Sequence, residues 1–148
     1  IFGFESGYFR VQSTKPQTVG YGLNDSPAGL AAYLGEKWHS WSDVTPSDDF
    51  LCATLTLYWI TQSITSSIRD YWDNRWHPVA PAYVSTPTAF GVFAHQTVPE
   101  GELPRSFLER LYNIQRWTVF PRGGHFAAWE EPELLAADLR TFFRDMRR

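Results

Sequence analysis

At 148 residues the chain has the length of one domain, enough to bury a core, and its net charge of −3 with a pI near 5.8 leaves no basic footprint for nucleic acid. The single cysteine, Cys52, excludes an internal disulfide and a cysteine-based zinc site, and four scattered histidines without an HxxxH or HxH pair argue against a metal centre. No apolar run reaches membrane-spanning length and no signal peptide is visible, so the default expectation is a cytoplasmic domain without metal or cofactor.

The chain opens on Ile1-Phe2-Gly3 with no initiator Met, and the expectation is that it is part of a longer protein. Residues 16–25 (PQTVGYGLND) read as a turn-rich stretch. Ser26-Pro27 then offers an N-cap and a first-turn proline, and Leu30, Ala31, Leu34 and Trp38 form one face of the helix that follows. Pro46-Ser47-Asp48-Asp49 starts a second helix, its acids placed to favour the helix dipole. It runs through Leu51, Leu55, Tyr58 and Trp59 and is expected to resume as far as Tyr71. Residues 74–81 read as linker, and Tyr83–Ser85 with Phe90–Ala94 as one strand interrupted near Pro87. A polar loop from His95 to Pro104 precedes a short helix over Ser106–Tyr112, and Arg116–Phe120 is apolar and β-prone. From Glu131 onward, Leu134, Leu135, Leu139, Phe142 and Phe143 recur at helical spacing.

The second half thus alternates strand and helix, the order of a parallel α/β sheet, where active sites lie beyond the carboxyl ends of the strands. Two loops occupy such positions: His95–Pro104, and the PRGGHFAAW stretch that carries His125. Glycines allow close backbone approach, so His125 is either a hydrogen-bonded loop histidine or a base presented at the sheet edge. Asp25, in NDSP, is read as part of the helix-capping chemistry and not as a nucleophile. The high aromatic content, 7 Trp, 7 Tyr and 11 Phe, suits both a core and a pocket for an apolar ligand.

Three separated stretches, GYFRVQSTKPQTVGYGLNDSPAGLAAYLGEKWHSWSD, LTLYWITQSITSSIRDYW and PRGGHFAAWEEPELLAADLRTFFR, together resemble the C-terminal half of the microsomal-type epoxide hydrolases. The resemblance covers nearly the whole chain, with the motifs in the family's order. It implies an α/β-hydrolase fold: residues 1–78 as helical lid and return helices, and 79–148 as the C-terminal part of the core, with the last strands and helices of a mainly parallel sheet. It further implies hydrolysis of an epoxide to a vicinal diol. An aspartate attacks an epoxide carbon, two lid tyrosines hydrogen-bond the leaving oxygen, and a carboxylate-oriented histidine activates water against the ester. By motif the lid tyrosines correspond to Tyr8 and Tyr71, and the base to His125.

Nothing in the chain resembles GxDxG or GxSxG, so the nucleophile is expected in an upstream segment, the missing N-terminal half of the same protein. The orienting acid is expected to be Glu100, by its family-like spacing to Tyr71 and His125. Gln96 stands at the acid's usual place counted from Pro87, and it and Glu102 are alternatives. The expected partners are a hydrophobic epoxide and water, with a homodimer as one compatible assembly. Two other functions fit the same residues: a serine-type ester or amide hydrolase of this fold, and a degenerate relative that binds ligand without turnover.

Overall fold

Proline at the first turn, hydroxyl caps and regularly spaced apolar residues make the first half of the chain helical. The structure, a computed structural model, describes residues 6–95 and 103–146, and it divides into two units: 1–37 with 46–80, and 38–45 with 81–148.

The first unit is built from α1 (Gly7–Gln12), α2 (Pro16–Asp25), most of α3 (Pro27–Trp41), α4 (Asp48–Thr61) and α5 (Ile64–Trp76). The stretch expected to be turn-rich is the helix α2. Pro16 sits in its first turn, where the missing N–H costs nothing, and Gly20 and Leu23 are buried. Gly20 marks a close helix crossing, since a Cβ there would lie 2.6 Å from Thr65 Oγ1 on α5. Asn24 Nδ2 donates to that same hydroxyl at 3.0 Å. The expected caps form: Ser26 Oγ accepts from Gly29 N–H at 3.0 Å, and Ser47 Oγ from Phe50 N–H at 3.3 Å. Asp25, exposed at the end of α2, stands beside the capping Ser26. The chain breaks between α4 and α5 at Gln62, which takes a left-handed conformation (φ 53°), and α5 then runs on to Trp76, into the segment expected to be linker. Leu23, Leu30, Ile64 and Ile68 form the core of this unit, flanked by Val19, Tyr33, Leu34, Leu55, Tyr58 and Trp59.

In the second unit β1 (Val84–Val92) and β2 (Tyr112–Val119) pair in parallel, forming a two-stranded sheet among the described residues. The expected interruption of β1 appears instead as register shifts on either side of Pro87 and Thr88, within one continuous strand. Proline cannot donate to the ladder, and the irregularity absorbs that loss. Asn113 Nδ2 compensates nearby by donating to Ser85 O at 2.8 Å. The helix before β2 is shorter than its spacing suggested: α6 covers Arg105–Leu108, and β2 already begins at Tyr112. The chain then forms a single turn, α7 (Ala127–Glu130), and the amphipathic α8 (Pro132–Asp145). Asp138 fastens α8 to β2: its buried Oδ1 accepts from Arg116 Nε and Thr118 Oγ1, both at 2.7 Å. Phe93 and Phe120, just past the ends of the two strands, stack with centroids 4.4 Å apart. Both post-strand loops therefore leave the same, carboxyl edge of the parallel pair.

Candidate active site

The two tyrosines singled out by motif lie together in the helical unit. Tyr8 on α1 and Tyr71 on α5 meet edge to face, with centroids 5.8 Å apart and ring planes at 83°. Hydrogen bonds around Ser13 set this geometry: Trp76 Nε1 donates to Ser13 O at 3.0 Å and Arg75 Nη1 to Ser13 Oγ at 3.3 Å, tying the end of α1 to the last turn of α5. Phe9 adds a second edge contact on Tyr71, and the Lys37 ammonium stands 5.0 Å from the centre of the Tyr8 ring. A third phenol, Tyr33, belongs to the same neighbourhood. It accepts from Gln12 Nε2 at 3.0 Å, and burial raises its pKa above the usual tyrosine range against the opposing pull of that bond and of Lys37. The sequence reading passed over Tyr33, because one more aromatic on an apolar helix face carries no signal of its own.

His125 lies in the second unit, in the loop between β2 and α7. Its ring packs edge-on against Trp41 and Phe126, each with a centroid distance of 5.0 Å. Phe126 in turn stacks on Trp38 at 3.7 Å. The backbone beneath the ring is held on several sides. His125 N–H donates to Trp41 O at 3.0 Å, and His95 N–H donates to Gly123 O at 3.0 Å. Gly123 N–H donates to Asp43 Oδ2 at 3.0 Å, while Asp43 Oδ1 pairs with His95 Nδ1 at 2.7 Å. The Glu130 carboxylate accepts Phe126 N–H at 3.0 Å through one oxygen and Asp43 N–H through the other. The Gly123 bond, reinforced by His95, holds the Asp43 carboxyl below its usual pKa.

Both glycines of the motif are required by this packing. Gly123 has φ +98°, and a Cβ on it would sit 2.7 Å from the Phe93 ring. A Cβ on Gly124 would sit 2.6 Å from Trp41 O. The sequence reading anticipated the strand–loop–helix setting of His125 but missed Asp43, His95 and Glu130. The KWHSWSD stretch carries a family likeness but no local signal, and nothing in it pairs Asp43 with a loop eighty residues away.

Tyr8 and Tyr71 are thus brought into contact with each other within one unit, and His125 is set in a braced loop of the other. Glu100, Glu102 and Gln96, the candidates for the orienting group, lie outside the described residues. Among the described residues no cluster of three His, Cys, Asp or Glu side chains is placed to hold a metal ion, and no helix is long and apolar enough to cross a membrane.

No family model matches the chain. Individual proteins do. Epoxide hydrolase 1 of Sus scrofa is 41% identical over 156 residues, covering 93% of this chain and 34% of that protein. Juvenile hormone epoxide hydrolase 2 of Ctenocephalides felis is 40% identical over 152 residues, covering 91% of this chain and 32% of that protein. Among solved structures, the juvenile hormone epoxide hydrolase of the silkworm Bombyx mori superposes with a TM-score of 0.87 at 34% identity, over 97% of this chain and 37% of that one. The Aspergillus niger epoxide hydrolase gives 0.83 at 31% identity, with the same coverage. The chain spans about a third of the length of the curated relatives it matches. Likeness of sequence and likeness of backbone point the same way: over nearly its whole length the chain is similar to about a third of the length of the epoxide hydrolases of the microsomal and juvenile hormone types, and its fold matches the corresponding part of their α/β-hydrolase fold.

Proposed function

We propose that this chain supplies the epoxide-polarising phenols and the water-activating base of an enzyme that hydrolyses an apolar epoxide to a vicinal diol. The contact between the Tyr8 and Tyr71 rings carries the reading. Two phenols held together suit the polarisation of one small ether oxygen, whereas a serine hydrolase would rely on backbone oxyanion donors.

In the first step a carboxylate oxygen attacks an epoxide carbon. The carbon–oxygen bond of the ring breaks, its electron pair stays on oxygen, and a phenol of the Tyr8/Tyr71 pair delivers the proton to that oxygen. The nucleophilic carboxylate comes from residues outside these 148. In the second step neutral His125 takes a proton from water, hydroxide adds to the ester carbonyl, collapse releases the diol and restores the carboxylate, and the imidazolium proton passes through solvent to the phenolate left by the first step. Glu100 is assigned the role of orienting His125 and stabilising its imidazolium, on its spacing in the sequence alone. A cytoplasmic location belongs to the same reading, on composition alone.

His125→Gln in the complete enzyme tests the assignment. Attack by a carboxylate needs no base, because an aspartate is ionised near pH 7. The variant should therefore form a covalent adduct, seen as one substrate mass added to the intact protein, while steady turnover stops. Serine chemistry depends on histidine in its first step, so absence of an adduct would favour the serine-type alternative and overturn the proposal.

A further inference from the structure

The loop that carries His125 is gripped by two carboxylates that take no part in the steps above. Glu130 accepts two backbone N–H groups at once, one oxygen holding Phe126 and the other Asp43. Asp43 grips the other side of the histidine, one oxygen holding Gly123 N–H and the other His95. The residues two before and one after His125 are thereby fixed to the same segment, 41–43, whose Trp41 carbonyl also takes the His125 N–H. Gly124 lets that segment pass in contact, since a Cβ would fall 2.6 Å from Trp41 O and 3.0 Å from Asp43 N.

We propose that Asp43 and Glu130 are positioning residues for His125, a backbone clasp that fixes where the imidazole stands when it must meet water. A backbone anchored on both sides leaves the ring little more than its own two side-chain torsions. Base catalysis is sensitive to placement, and a misplacement of about 1 Å can cost roughly 10²-fold. Each carboxylate bridges two groups: Glu130→Gln turns one oxygen into an NH₂ group that faces a backbone N–H, and Asp43→Ala removes both contacts of the other carboxylate.

The inference rests on the reading of His125 as the base of ester hydrolysis, and the experiment separates the two. Glu130→Gln and Asp43→Ala are made in the complete enzyme and followed by single-turnover kinetics of adduct formation and adduct breakdown. Breakdown should slow about tenfold or more, formation should hold within a factor of about two, and adduct should accumulate with kcat falling more than KM. Both rates falling together, or neither changing, overturns the clasp, because a purely structural role would not single out the second step. His125→Gln is run alongside. If it forms no adduct, the epoxide-hydrolase reading falls. The clasp is then judged on amide hydrogen exchange over residues 121–131, which should speed at least tenfold in either variant; unchanged exchange overturns it.

Discussion

Tyr8 presents its ring edge-on to Tyr71 across α1 and α5, and the Lys37 ammonium lies 5.0 Å from the centre of the Tyr8 ring. Rings that meet in this way keep their contact when a hydroxyl is removed, so Tyr→Phe isolates the donor from the packing. Tyr8→Phe or Tyr71→Phe in the complete enzyme should each slow epoxide opening by about 10²-fold, the loss expected for one transition-state donor. The double variant should be close to inactive. Epoxide turnover that survives in the double variant would remove both residues from the mechanism.

How much is legible in the sequence differs between the two candidate groups. Tyr8, Tyr71 and His125 are singled out by motif, and the strand–Gly-Gly–helix setting of His125 follows from local pattern alone. Asp43 and Glu130 are not legible there, because apart from His95 their partners are backbone amides, which leave no trace in side-chain spacing. The helix α2 was hidden for a related reason. Gly20 and Gly22 looked like turn residues, whereas Gly20 serves the close approach of Thr65, a tertiary contact that overrides propensity. In β2 the early start at Tyr112 was masked by Asn113 and Gln115, polar residues tolerated in a strand whose neighbour offers Ser85 O as an acceptor.

A prediction about pH follows from Asp138, which is 8% exposed on α8. Burial by itself raises its pKa, but the bonds from Arg116 and Thr118 and the Arg116 charge outweigh that and leave it below the usual aspartate value. A carboxyl depressed on folding contributes stability that is present above the unfolded pKa, about 3.9, and is lost as pH falls through the folded one. Asp138→Asn should cost about 1.5–3 kcal/mol near pH 7, the range for a hydrogen bond to a charged partner. Urea midpoints measured from pH 7 to pH 3 should show the gap between wild type and variant narrowing only below about pH 4. A gap that stays constant across the range would mean that the Arg116–Asp138 pair contributes nothing through charge.

The glycines give opposite expectations for one and the same substitution. Gly35 lies inside α3, and a Cβ there would meet nothing within 4 Å. Gly35→Ala should therefore stabilise by about 0.4–1 kcal/mol, chiefly by restricting the unfolded chain. Gly124 is enclosed by backbone that cannot rotate away: a Cβ would stand 2.6 Å from Trp41 O and 3.0 Å from Asp43 N, with the Glu130 carboxylate also at 3.0 Å. Gly124→Ala must push segment 41–43 off the loop, which breaks the bond from His125 N–H to Trp41 O and opens both carboxylate bridges. The cost should be about 1–3 kcal/mol, the usual penalty for forcing added volume into a packed site. Urea midpoints of the complete enzyme would read both changes, and adduct breakdown should slow in the Gly124 variant alone. Should Gly124→Ala leave stability and breakdown rate untouched, segment 41–43 does not press on the loop of His125 as described.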